Sequence, residues 1–131
     1  MNIYSGSGGL ASALTNPTEL AFRKKKLSVH YPVHFMGATY ADAEMAYQVY
    51  KTGQISVDDN LMTRIILQKL VQYPDLYDQV KELGGVNFLE ECNHFTGAKS
   101  AGFKSWEGRG TESRFIRNLI AGYRLAMKEL K

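Results

Sequence analysis

Residues 112–130 read ESRFIRNLIAGYRLAMKEL, and this stretch decides the fold class. Ile116, Leu119, Ile120, Tyr123, Met127 and Leu130 recur at helical spacing and form one apolar stripe. Arg114, Arg117, Arg124 and Lys128 lie on the flank beside it. Such a helix needs other helices to cover its stripe, and the chain upstream supplies them. Residues 58–72 predict a second helix that packs through Leu61, Met62, Ile65, Ile66 and Leu70 and is broken by Pro74. Residues 41–51 predict a third, with Thr39 and Asp42 as its N-cap arrangement and Gly53 as its stop. Ala43, Ala46, Tyr47 and Tyr50 make its buried face. Shorter helices are expected over 75–83 and 86–92, divided by Gly84-Gly85.

The rest of the chain is less regular. From Ser28 to Phe35, Val29, Tyr31, Val33 and Phe35 alternate with polar residues, as in a strand. Pro32 has no N–H to give a ladder, which makes it an edge strand. Residues 4–9, YSGSGG, read as a loop, but no Lys-Ser/Thr pair follows and neither the P-loop nor the dinucleotide fingerprint is present. Residues 93–110 show no period, and so long an irregular stretch inside a domain points to function. The reading is an α+β, mainly helical fold with a few short strands near the N-terminal half, in one domain over residues 1–131.

Composition narrows the class. At 131 residues the chain is close to the usual size of one domain. Cys92 is the single cysteine, so no internal disulfide frames the fold. With 44% apolar and 22% charged residues the chain is not of disordered type. No apolar run nears the roughly 20 residues that span a bilayer, and no signal peptide is visible, so a cytoplasmic location is expected. Sixteen Lys and Arg against 13 Asp and Glu give a net charge of +3, too mild to announce a polyanion partner. The run from Arg23 to Lys26 could touch nucleic acid, but four exposed charges before a strand are usually just solvated.

Four constellations carry chemistry. Glu44, Gln48 and Lys51 share one helix face, with Glu44 and Lys51 about 10 Å apart. They suit a ligand gripped between a carboxylate and a cation, or a plain solvated face. Trp106, the one tryptophan, sits among Gly108 and Gly110, where it offers a stacking platform or a core anchor. Arg117 and Arg124 suit bidentate phosphate recognition, or shield the helix flank. His30, His34, Cys92 and His94 match no metal-ligand spacing, so no metal is expected, and nothing lowers the Cys92 thiol for catalysis.

In order along the chain, these residues resemble the NADAR superfamily, also called the YbiA-like fold. Asn16, Gly37, Tyr40 and the Glu44-x3-Gln48-x2-Lys51 run are similar to its N-terminal motifs. The Lys69-Leu70-x-Gln72-x-Pro74-x-Leu76 run, Gly84 to Glu91, and Trp106-x-Gly108-x-Gly110 resemble its later ones. Departures include Met45 where the family has His, Tyr40-Ala41-Asp42 for its Trp-Pro-Thr, and Arg114 and Arg117 for a polar neutral and a small residue. The resemblance implies an N-glycosidase that hydrolyses a ribose-phosphate or ADP-ribosyl conjugate, with no cofactor. It implies catalytic roles for Glu44 and Glu91 and base stacking by Trp106. Lys51 and Arg124, with Arg117, would hold phosphate, and Asn16 and Gln48 would orient ribose hydroxyls. The implied partner is a small phosphate-bearing nucleotide or ribosyl substrate, or an ADP-ribosylated nucleic acid, with no membrane. Sequestration of an ADP-ribose-like nucleotide without cleavage, and a nucleic-acid-binding module, are the alternatives.

Overall fold

The computed structural model describes residues 1–97 and 100–130, with side chains at Ala101 and Phe103 left aside. In chain order the elements are α1 (Gly9–Ala13), α2 (Thr18–Arg23), β1 (Val33–Phe35), β2 (Ala38–Tyr40), α3 (Ala43–Tyr50), α4 (Ile55–Gln72) and α5 (Pro74–Leu83). They continue with α6 (Val86–Glu90), β3 (Asn93–His94), α7 (Ala101–Lys104), β4 (Gly108–Arg109), a 3-10 turn (Gly110–Glu112) and α8 (Arg114–Glu129). The fold is α+β and mainly helical. Its strands form two small antiparallel sheets, β1 with β2 and β3 with β4, so half of the strands fall in the C-terminal part of the chain. Among the described residues no helix is long and apolar enough to cross a membrane.

The centre of the molecule is the crossing of α4 and α8. Met62, Ile65, Ile66 and Leu70 join Phe115, Ile116, Leu119, Ile120 and Tyr123 in one buried cluster. Each such side chain contributes about 1.5–3 kcal/mol when withdrawn from water. Gly122 lets the helices approach: a Cβ there would stand 2.6 Å from Ile66 Cγ2 and 3.1 Å from the Thr63 carbonyl oxygen. Glycine inside a helix costs about 1 kcal/mol relative to alanine, and the close crossing explains its presence. Ala43 and Ala46, both fully buried, let α3 settle against the same cluster.

Local chemistry shifts several boundaries. The strand expected over 28–35 is confined to Val33–Phe35, because Pro32 withholds a donor. Asp42 alone caps α3, its Oδ1 accepting from the Met45 N–H at 2.9 Å, while Thr39 pairs with His34 in the β-hairpin. Helix α4 starts three residues earlier than expected, at Ile55. Asp58 folds back on the preceding loop instead of capping, accepting from the Thr52 and Gly53 N–H groups at 2.7 and 2.8 Å. Ser113 caps α8, accepting from the Ile116 N–H at 3.1 Å. Met127, expected on the buried stripe, is exposed, while Ala126 beside it is fully buried and Leu130 packs against the core. The irregular stretch over 93–110 holds β3, α7 and β4, with residues 98 and 99 outside the described set. Ile3, fully buried, ties the chain start to β3 by donating its N–H to the Asn93 carbonyl at 2.8 Å. That contact brings residues 4 and 5 to the region where the site forms.

Candidate functional site

A cleft of about 690 Å³ is walled by residues between Tyr4 and Lys24, by α3 and Lys51, by His94, Thr96, Ser100, Gly102 and Trp106, and by Phe115 in the first turn of α8. Backbone and cap contacts fix its floor. The Asn16 carbonyl accepts from the Thr18 N–H at 2.9 Å and from the Glu44 N–H at 3.2 Å. The second Asp42 oxygen accepts from the Glu19 N–H at 3.0 Å, so one carboxylate staples α2 to the start of α3. Asn16 and Glu44 are thereby set in the same cleft.

Among the described residues, each of them carries a buried acceptor without a hydrogen-bond partner: Asn16 Oδ1 and Glu44 Oε2. Buried polar atoms are nearly always paired, so two orphans lining one cleft mark a place for donor groups of a ligand. Burial raises the Glu44 carboxyl above its ordinary value, opposed by the Gln48 hydrogen bond, reinforced by the charge of Asp42 and opposed again by Lys51. A carboxyl so placed is suited to taking and returning a proton.

Gln48, Lys51, Tyr47 and Trp106 extend the cleft in one direction. Trp106 meets Tyr47 edge-on, with centroids 5.6 Å apart. The Arg114 guanidinium lies 3.7 Å over its ring and is held by Asp59, Nε to Oδ1 at 2.5 Å. Arg114 therefore takes one face of the indole. Past Tyr47 and Trp106 a smaller pocket of about 490 Å³ continues along Thr52, Asp58 and Ser105.

The other direction holds residues that sequence reasoning missed. Lys24 turns out of its basic run into the cleft, donating to Ser5 Oγ at 2.7 Å with Tyr4 beneath it. His94 also lines the cleft, with Nδ1 2.6 Å from the Ile3 carbonyl. A carbonyl only accepts, so the proton sits on Nδ1 and the neutral ring offers Nε2 as an acceptor. Burial lowers the His94 pKa, which favours that neutral form. The ring rests on Phe115, 4.7 Å between centroids.

Asn16, Glu44, Gln48, Lys51 and Trp106 thus come together in one cleft. The other expected residues do not. Glu91 is exposed beyond α6 and does not line the cleft. Arg117 is exposed and donates to the carbonyls of Thr111 and Glu112, closing the 3-10 turn. Arg124 is exposed about 15 Å further along α8 from Arg114, because only the first turn of that helix reaches the cleft. Gly108 and Gly110 shape the chain instead of facing a ligand. A Cβ at Gly108 would stand 2.7 Å from the Ser113 nitrogen, and one at Gly110 2.5 Å from the Glu90 carbonyl oxygen. Cys92 is buried, and burial raises its thiol pKa. His30 faces Glu19, apart from the other histidines.

No protein-family model matches the chain, and searches among curated proteins and solved structures find no match either.

Proposed function

We propose that the chain is an N-glycosidase that hydrolyses a ribose-phosphate or ADP-ribosyl conjugate in this cleft. The observation that carries the reading is the pair of orphaned acceptors, Asn16 Oδ1 and Glu44 Oε2, in a cleft that also holds Lys24 and Lys51. Acceptors call for hydroxyl donors, and lysines call for an anion; a phosphorylated ribose presents both. Trp106, which lines the same cleft, would stack on the base. The resemblance to the NADAR superfamily supports the same reading through Asn16, Glu44, Gln48, Lys51 and Trp106.

Cleavage passes through an oxocarbenium-like state, which an adjacent carboxylate stabilises. The oxygen of a water bonds the anomeric carbon, and the electron pair of the C–N bond leaves with the nitrogen. Glu44 takes the proton that the water loses and returns it to that nitrogen. Its raised carboxyl pKa suits both transfers. Neutral His94 orients a hydroxyl or the water through Nε2. Binding without cleavage is the second reading, favoured because Glu44 is the one carboxylate among the described residues lining the cleft.

Incubation with ADP-ribosylated guanine DNA and with a phosphoribosylamino-pyrimidine separates the two. Release of free base or ribosyl product is expected from one of them. Tight binding of ADP-ribose without release from either favours the second reading.

A further inference from the structure

Lys69 is a charged side chain deep in the molecule, 3% exposed, near the end of α4. Its ammonium donates to the Thr15 carbonyl at 2.6 Å. Among the described residues it makes no ion pair. The groups that face it are few. Asp42, at the start of α3, is the charge acting on it, and both Asp42 oxygens already hold backbone N–H groups. The Tyr31 ring, ahead of β1, lies 5.9 Å from Nζ, and Asp75 at the start of α5 acts on that tyrosine. From α8, Arg114 reaches α4 at Asp59, about 15 Å along the helix from Lys69. Burial prevails over Asp42 and pushes the ammonium down to about 7.

A buried charge without a paired partner is expensive, and an apolar side chain of the same volume is usually tolerated as well or better. A methionine would fill the space but would leave the Thr15 carbonyl unheld. Thr15 and Asn16 both line the cleft, and the Asn16 carbonyl receives the N–H of Glu44. We propose that Lys69 is a positioning residue: through the Thr15 carbonyl it fixes the Thr15–Asn16 wall against the first turn of α3, and so sets Asn16 against Glu44. Its effect on hydrolysis rests on the glycosidase reading; its effect on the wall does not. The contact is a hydrogen bond from Nζ to a backbone carbonyl, so what the wall requires of residue 69 is a donor that reaches Thr15.

Amide hydrogen exchange on the whole chain tests this at Glu44 and Thr18, whose N–H groups both donate to the Asn16 carbonyl. In Lys69→Met, which keeps the volume and removes the donor, the two wall amides should exchange about tenfold faster than in the wild type, as a charge-assisted bond is lost. Ile120 and Tyr123, in the core, should keep wild-type protection. Lys69→Gln, polar but too short to reach the Thr15 carbonyl, should give the same loss and serves where Lys69→Met does not fold. Either variant, folded and with wild-type wall protection, overturns the proposal. The kcat/KM for glycoside cleavage should fall with the wall protection. Exchange that responds while the wild type hydrolyses neither conjugate leaves the positioning role standing and removes the glycosidase reading. Hydrolysis with unresponsive exchange does the reverse.

Discussion

The two sides of α4 are held by different physics. Toward α8 the contact is apolar and close, with Gly122 set against Ile66 and Thr63. Toward the N-terminal segment it is polar: Lys69 holds the Thr15 carbonyl, and beside it Asp42 staples Glu19 to Met45. The first side fixes the fold and has no room for added volume. The second sets the cleft, and what it requires is donors and acceptors at particular atoms. Substitutions that separate stability from cleft chemistry therefore test the contrast.

The largest effect is expected on the apolar side. Gly122→Val drives a branched side chain into Ile66 and should cost about 3 kcal/mol or more of unfolding free energy by denaturant titration. A loss below about 1 kcal/mol would mean that the helices separate easily.

On the polar side the effect depends on pH. The Lys69 ammonium has a pKa of about 7 in the folded protein against 10.5 ordinarily, so between those values the unfolded chain binds one more proton. Wild-type stability relative to Lys69→Met should therefore rise with pH in that window, by about 1.4 kcal/mol per pH unit, and be flat below about 7. A difference that is flat throughout would place the ammonium in water.

The smallest effect separates the cleft from the rest of the basic surface. Lys24→Ala should weaken ADP-ribose binding about fivefold, roughly 1 kcal/mol, less at high salt and with little change in stability. Arg124→Ala, outside the cleft, should leave the affinity unchanged. Equal losses from both would spread the anion site over the surface.

The same contrast explains what the sequence made legible. Helices α4 and α8 can be read because apolar burial imposes a period, and Ile65, Ile66, Leu70, Ile116, Leu119 and Tyr123 show it. Glu44, Gln48 and Lys51 share a helix face and Asn16 is distant in sequence; motif order, not spacing, suggested that they belong together. Lys24, His94 and Arg114 were hidden because their partners, Ser5, Ile3 and Asp59, lie 19, 91 and 55 residues away. Helix phase places Arg114, Arg117 and Arg124 on one flank but does not say which end of α8 meets the cleft. Lys69 falls inside an apolar run, where its burial follows from the period but its task does not. That task belongs to a carbonyl 54 residues earlier.

The most direct test of Glu44 measures activity and stability together in Glu44→Gln. Burial raises the Glu44 carboxyl, so its ionised form is penalised in the folded chain and a neutral glutamine is not. The variant should be at least as stable as the wild type at neutral pH, and should release ribosyl product about 10²- to 10⁴-fold more slowly from whichever conjugate the wild type cleaves. Wild-type turnover by folded Glu44→Gln would contradict the assignment of Glu44, and a wild type that cleaves neither conjugate would contradict the hydrolase itself.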